Sequence, residues 1–348
     1  MRGRSLEIRK FILEVTSSDG SNVAARVTDR FGISRQAVNR HLSTLVKDGW
    51  LVRTGRTQNQ KYRLAAQPRV FKSYALANDL AEDRVWTADL QQFFRQLPDN
   101  VRDIWMYTFT EMFNNAIDHS GGTSVDVNLE ETALGFNLWL HDDGIGIFRK
   151  IQAALGLADE RHAVLELSKG KLTTDPTRHT GEGIFFTSRM LDYFAILSGG
   201  IFLSHSGDAP EDQMRSREAP KGGTTVFMEL RNDSSRRMEN VFDEYTSGAD
   251  RGFTKTEVSV RLLEYGDDKP ISRSQAKRLL AGLDRFKRIV LDFAGVQSIG
   301  RAFADEIFRV FAQAHPGNEL VPIGANPQVQ ANINAARSQW VRDLPDAI

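Results

Sequence analysis

Four short polar motifs, set in order along the middle of the chain, constrain its fold more than any other feature. EMFNNAIDHS at 111–120 places Glu111 four residues ahead of Asn115 among helix-forming neighbours. About one helical turn separates them, so both side chains stack on the same face. After two strand-like runs, SVDVNLEE and GFNLWL, comes HDDGIGI, with Asp142, Gly144 and Gly146 in D-x-G-x-G spacing at a strand end. HTGEGIFF then presents Gly181 and Gly183, and KGGTTVFMEL carries Gly223 and Thr224 into a further strand. Singly, each is ordinary, because glycine pairs mark turns and a Glu and an Asn one turn apart are usually a solvated face. The four in this order are much harder to dismiss.

The chain has 348 residues, 41% hydrophobic and 26% charged, enough for two or three cores. It has no cysteine, which excludes a disulfide framework and cysteine-based metal sites and fits a reducing compartment. No run of about 18 apolar residues occurs, and the start, MRGRSLEIRKF, lacks an apolar signal core. The expectation is a soluble, cytoplasmic α/β multidomain protein with no membrane partner.

Charge is divided unevenly. Residues 1–65 hold 13 Lys and Arg against 5 Asp and Glu, and the remainder holds 32 against 40. A basic end on an acidic body suits a nucleic-acid reader joined to something else. Within that end, SSDGSNVAARVTDRF predicts a capped short helix, GIS a tight turn, and SRQAVNRHLSTLVKDGW a longer helix with Ala37, Val38, Leu42, Leu45 and Val46 in one apolar stripe. Ser34 stands at the N-cap position, leaving Arg35, Gln36, Asn39 and Arg40 on the first exposed turns. WLVRT and KYRL then flank a basic turn. The whole, over 1–66, resembles a winged helix-turn-helix domain of the bacterial repressor type. That resemblance implies double-stranded DNA as partner, with Arg35, Gln36, Asn39 and Arg40 on a recognition helix capped by Ser34, and Arg53, Arg56 and Lys61 of the hairpin against phosphate or minor groove.

Residues 67–98 read as an amphipathic helical connector, with Phe71, Tyr74, Leu76, Leu80 and Trp86 as buried positions and a transmitting role between the basic end and the next domain. Its aromatic content argues against a floppy linker.

Over 99–235, and from as early as residue 80, the four motifs together resemble the GHKL nucleotide-binding family of gyrase-type, chaperone-type, histidine-kinase and anti-sigma-kinase ATPases. The resemblance implies an α/β sandwich, a mixed sheet with helices on one face, that binds ATP and Mg²⁺. It makes Asn115 the oxygen ligand of Mg²⁺ and Glu111 the general base or water-positioning group. Asp142 would accept from the adenine amino group, Gly144 and Gly146 would let the base approach backbone, and Thr224 would complete the adenine contacts. Gly181 and Gly183 would open a helix onto the phosphates. LSKGKLTTDPTRHT corresponds to the mobile lid, with Lys169, Lys171 and Arg178 as candidates to meet phosphate on closure. Glu182, inside the second glycine motif, departs from the family pattern, since a carboxylate there repels phosphate unless it points away. No G-x-x-x-x-G-K-[ST] occurs, and no histidine lies between His41 and His119 to serve as the phosphoacceptor of a sensor kinase.

The last third alternates strand and helix, with Phe286, Ile289, Leu291 and Phe293 marking a buried strand. IVLDFAGVQSIGRAFADEIF resembles STAS domains, implying a β-α-β-α domain over 250–345. Where phosphorylatable members carry serine at the helix head, this chain has Ala302, so a docking or self-association module is expected rather than a substrate. Three functions emerge as expectations: an ATP-controlled DNA-binding transcriptional regulator, a serine/threonine protein kinase of the anti-sigma type acting in trans, and a strand-remodelling ATPase.

Overall fold

The computed structural model describes residues 2–343 except 19, 56–59, 78–79, 173–180, 208, 218–221, 248–251 and 265–268. The basic end folds as helices α1 (Arg2–Ser18), α2 (Val23–Phe31) and α3 (Arg35–Lys47), followed by an antiparallel hairpin of β1 (Leu51–Thr54) and β2 (Lys61–Leu64). Gly32, at φ 61°, ends α2 with its N–H on the Thr28 carbonyl, a conformation glycine adopts without a steric penalty. Ser34 Oγ accepts from the Ala37 N–H at 3.2 Å and starts α3. Val38, Leu42 and Leu45 of α3 pack with Ile12, Val27 and Leu51 in a small core of their own.

That core reaches one point of the next unit, Ala133 and Leu134. Beside it Lys10 pairs with Asp233 at 3.0 Å.

The central unit is a seven-stranded sheet in the order β3-β4-β5-β9-β6-β7-β8. It begins with β3 (Gln67–Ala75), α4 (Glu82–Val85), a π-helical turn at Trp86–Leu90, α5 (Gln91–Phe94) and the long α6 (Asp99–His119). Next come β4 (Ser124–Glu131), β5 (Gly135–Asp142), α7 (Ile147–Leu155), α8 (Glu160–Ser168) and α9 (Gly183–Met190). Strands β6 (Tyr193–Ser198), β7 (Ile201–Ser206), β8 (Ala209–Ser216) and β9 (Thr224–Arg231) complete it.

Two expectations are overturned here. Residues 67–98 are not a helical connector, because Gln67–Ala75 forms the edge strand β3, paired antiparallel to β4. A register shift between Pro68 and Val70 leaves the shielded positions at Gln67, Val70 and Tyr74, a spacing that imitates a helix. Phe71, expected inside, is 80% exposed on that edge, whereas Tyr74 and Trp86 are buried. The sheet is also not mixed. All its pairings are antiparallel, because β6 joins β9 instead of β5, with α7, α8 and α9 spanning the gap in sequence.

Alternation along β5 buries Phe136, Leu138 and Leu140 with Trp105, Phe109 and Phe113 of α6, while Trp139 stands on the other face against Phe227.

The C-terminal unit starts with α10 (Met238–Tyr245) and the short pair β10 (Thr246–Ser247) and β11 (Gly252–Phe253). A parallel sheet of β12 (Lys255–Ser259), β13 (Arg288–Asp292) and β14 (Glu319–Ile323) comes after them. Its helices are α11 (Arg273–Leu280), α12 (Arg301–Asp305), α13 (Ala312–Ala314) and α14 (Pro327–Asp343), with a π-helical turn joining α12 to α13. Phe286, Ile289, Leu291 and Phe293 are buried as expected, and Val290 is too, since parallel strands are covered on both faces. The central and C-terminal units share one apolar core. Among the described residues no helix is long and apolar enough to cross a membrane.

Trp86 is 2% exposed and stacks on Phe94 at 5.2 Å. Trp86→Ala should therefore cost about 3–5 kcal/mol in denaturant unfolding. Phe71→Ser should change stability by no more than about 0.5 kcal/mol, the outcome for an exposed edge position and not for a buried helical one.

Candidate functional site

A cavity of about 300 Å³ opens beside α6, α7 and α9 at one end of the β5–β9 pair, within the size range of small-molecule sites. Its lining includes Glu111, Asn115, Asp142, Gly181, Gly183 and Thr224. Residues far apart in sequence thus meet at one place, through two local causes. Helix α6 places Glu111 and Asn115 one turn apart on the same face. Antiparallel pairing of β5 with β9 sets Asp142 opposite Thr224.

Asp142 is 7% exposed. Its Oδ1 accepts from the backbone N–H groups of Gly144 (3.0 Å) and Thr224 (3.2 Å). Burial pushes the carboxyl up from its ordinary value, and these two donors offset that only in part. The Thr224 hydroxyl accepts from the Ile147 N–H at 3.0 Å, which ties β9 to the first turn of α7.

The glycines of the D-x-G-x-G run have a task different from the one expected. Neither Gly144 nor Gly146 is among the lining residues of the cavity. A methyl group on Gly144 would overlap the Ser120 carbonyl oxygen, and one on Gly146 would lie 2.6 Å from Ser198 Oγ. They let the loop press against the protein's own neighbouring segments. Gly223 carries the same constraint more severely, with φ at 75° and a methyl position that overlaps the Asp142 carbonyl oxygen.

Gly183 begins α9, and a side chain there would displace the Glu111 carboxylate, whose Oε2 occupies the space a methyl group would need. Glu111 therefore stands against the positive end of a helix. Glu182, the departure from pattern, is half-buried. Burial pushes its carboxyl up, and Lys171 draws it back down.

Two of the three expected lid cations are placed elsewhere. Lys169 is fully buried outside the cavity, its Nζ bonded to Glu166 Oε1 (2.6 Å) and to the carbonyls of Arg278 (2.9 Å) and Ala281 (3.0 Å) at the end of α11. A buried ammonium needs such partners, and three acceptors at one spot outcompete an exposed loop position. Lys171 holds its ammonium over the rings of Phe253 (5.5 Å) and Phe286 (5.2 Å). Arg178 lies outside the described residues. Thr256 Oγ1 donates to the Lys169 carbonyl and Arg285 Nη2 to the Gly170 carbonyl. The C-terminal unit thus holds the chain between α8 and α9 from outside.

Sequence reasoning missed Lys150, which lines the cavity from α7 and donates to the His119 carbonyl at 2.7 Å. Its one visible signal was its place one turn after Gly146, inside the helix that the glycine run opens.

Among the described residues no cluster of three His, Asp or Glu could hold a metal unaided. The Asn115 amide oxygen suits a hard cation that brings further oxygen ligands with it, as Mg²⁺ does on phosphates.

Residues 275–330, from α11 into α14, match the family described as a STAS-like domain of unknown function (DUF4325). This part of the chain is STAS-like. No curated protein sequence matches the chain. The STAS-like part supplies the Arg278, Ala281 and Arg285 contacts to the central unit, and Ala302 lies in the short helix α12.

At the other end of the molecule Ser34, Arg35, Gln36, Asn39, Arg40, Arg53 and Lys61 are all exposed, and Arg56 lies outside the described residues.

Lys169→Met should destabilise the protein by about 2–3 kcal/mol, since it leaves the Glu166 carboxylate and two helix-end carbonyls without their donor. Denaturant unfolding reads this. A phosphate ligand at that position would instead leave stability nearly unchanged.

Proposed function

We propose that the chain is a DNA-binding transcriptional regulator controlled by ATP. Mg-ATP would bind a GHKL-type central domain and alter the DNA affinity of an N-terminal winged helix-turn-helix domain. The observation that carries this reading is the convergence of Glu111, Asn115, Asp142, Gly181, Gly183 and Thr224 on one cavity. Asp142 offers a buried carboxylate to an adenine amino group, Asn115 an amide oxygen to Mg²⁺, and Glu111 a carboxylate able to orient water at a terminal phosphate. Mg²⁺ bound with the nucleotide would neutralise phosphate charge. The exposed Arg35, Gln36, Asn39 and Arg40 on the Ser34-capped helix α3, with Arg53 and Lys61 on the hairpin, are the groups for duplex DNA.

The two ends have a direct route between them. Strand β5 ends at the cavity with Asp142 and β9 begins there with Thr224, and beyond their other ends Leu134 and Asp233 touch the basic domain. The route expected through Phe71 and Trp86 is less direct, since Phe71 points to solvent. The STAS-like domain would serve as the docking module, in the first place for its own chain. Ala302 at the position of the acceptor argues against an internal kinase and substrate pair, and leaves an anti-sigma-type kinase acting on a partner in trans as the second reading.

Asp142→Asn should abolish ATP binding, while Glu111→Ala should retain binding and lower turnover by about a hundredfold or more. Titration calorimetry and phosphate release measure the two. Asp142 accepts most strongly as a carboxylate, and its raised pKa means that falling pH weakens it as an acceptor early. Affinity for adenosine and for ATP should thus weaken on acidification while the solution is still above about pH 4, the ordinary carboxylate range. An affinity flat down to that point would contradict the assignment.

Duplex DNA should bind with a steep salt dependence. Arg35→Ala and Arg40→Ala should each weaken binding, and where the lost contact is to phosphate the log–log salt slope should drop by about one. Equal binding by the variants and the unchanged protein would remove α3 from the interface.

A further inference from the structure

One Mg²⁺ offsets only part of the phosphate charge of ATP, and two of the three lysines and arginines that the sequence offered for the rest are engaged elsewhere, Lys169 in the STAS-like contacts and Lys171 over aromatic rings. Among the described residues the lining of the cavity contains one lysine and no arginine, and that lysine is Lys150. It shares the lining with the carboxylates of Glu111 and Asp142. Among the described lining residues, an anionic ligand entering there meets one lysine or arginine, Lys150.

Lys150 is held ready by helix geometry. It lies in the first turns of α7, four residues after Gly146. Its ammonium crosses to the far end of α6 and donates to the carbonyl of His119, the last residue of that helix. A helix end concentrates partial negative charge on carbonyls that lack intrahelical donors, so a cation rests there favourably. Asn115 stands one turn before His119 on α6, so the ammonium lies toward the Asn115 end of the cavity.

We propose that Lys150 is a phosphate-binding cation of the cavity, passing from the His119 carbonyl to the phosphates of an adenine nucleotide. A carbonyl carries a fraction of a charge and a phosphate oxygen a large part of one. Both bonds use the charged ammonium, and the phosphate adds an opposite charge that the carbonyl lacks, which makes the exchange favourable. The lysine stem is long and has three rotatable donors, so it can turn toward phosphate without moving α7. The assignment rests on the nucleotide reading of the cavity and adds to it which group senses the phosphates.

The test compares adenosine with ADP and ATP on the full chain in the presence of Mg²⁺, using the unchanged protein, Lys150→Met and Lys150→Arg. Lys150→Met should weaken ADP and ATP by about tenfold or more and leave adenosine within about twofold, and Lys150→Arg should recover most of the nucleotide affinity. Thermal unfolding of each variant, with and without adenosine, monitors the lost bond to His119. Equal weakening of all three ligands would make Lys150 a purely structural cap and overturn the proposal, as would unchanged ATP affinity in Lys150→Met. If the unchanged protein binds none of the three, the nucleotide reading itself fails and takes this proposal with it.

Discussion

The candidate site depends on the pairing of β5 with β9. These strands are distant in sequence, yet their register places Asp142 opposite Thr224 at one end and Gly135 opposite Arg231 at the other. The first end gives the cavity its buried carboxylate, and Thr224 reinforces it twice, with its N–H on Asp142 and its hydroxyl under the first turn of α7. A slip of β9 by one residue would turn Thr224 to the opposite face of the sheet while Asp142 stayed in place. Gly223 guards that register, since its φ of 75° and its closeness to the Asp142 carbonyl exclude any side chain. A single pairing therefore fixes the carboxylate, one wall of the cavity and the start of α7.

The second end of the same strands explains how two chemically different units become one molecule. Eight residues of strand span about 23 Å, so the basic domain sits the length of the sheet away from the cavity. Among the described residues it is attached by Ala133, Leu134, the hydrogen bond from Gln67 to the Gly49 carbonyl and ion pairs such as Lys10–Asp233 between exposed side chains. Such pairs contribute little on their own. The STAS-like part is attached differently, through a continuous apolar core, the buried Lys169 and the rings of Phe185, Phe186, Phe253 and Phe286. Among the described residues, the joint to the basic domain is thus the lighter of the two.

Legibility in the sequence tracked the range of the interactions. Ser34 as a helix cap, the α3 stripe, Glu111 above Asn115 and the buried pair Ile289 and Leu291 all depend on neighbours within about one or two turns or on strand alternation. Those are the signals that periodicity carries. The edge strand β3 was misread because its bulge shifted the shielded positions to a spacing of three and four, and because an edge strand leaves Phe71 uncovered. Its partner β4 lies beyond all of α6, so no local pattern could have corrected the reading.

Lys169 shows the same limit for charge. Within LSKGKLTTDPTRHT it is one of several cations near a glycine and has the composition of a phosphate loop. Its partners are carbonyls 109 and 112 residues later, at the end of a helix in the STAS-like part. Lys150, by contrast, sits in an ordinary amphipathic helix, and only the folded chain brings it across to His119 and into the cavity. A sequence shows which residues carry charge. Which charges are already neutralised, and which still face a cavity, is decided by tertiary contacts, so the cation proposed for the phosphates became visible only once Lys169 and Lys171 had been assigned to other partners.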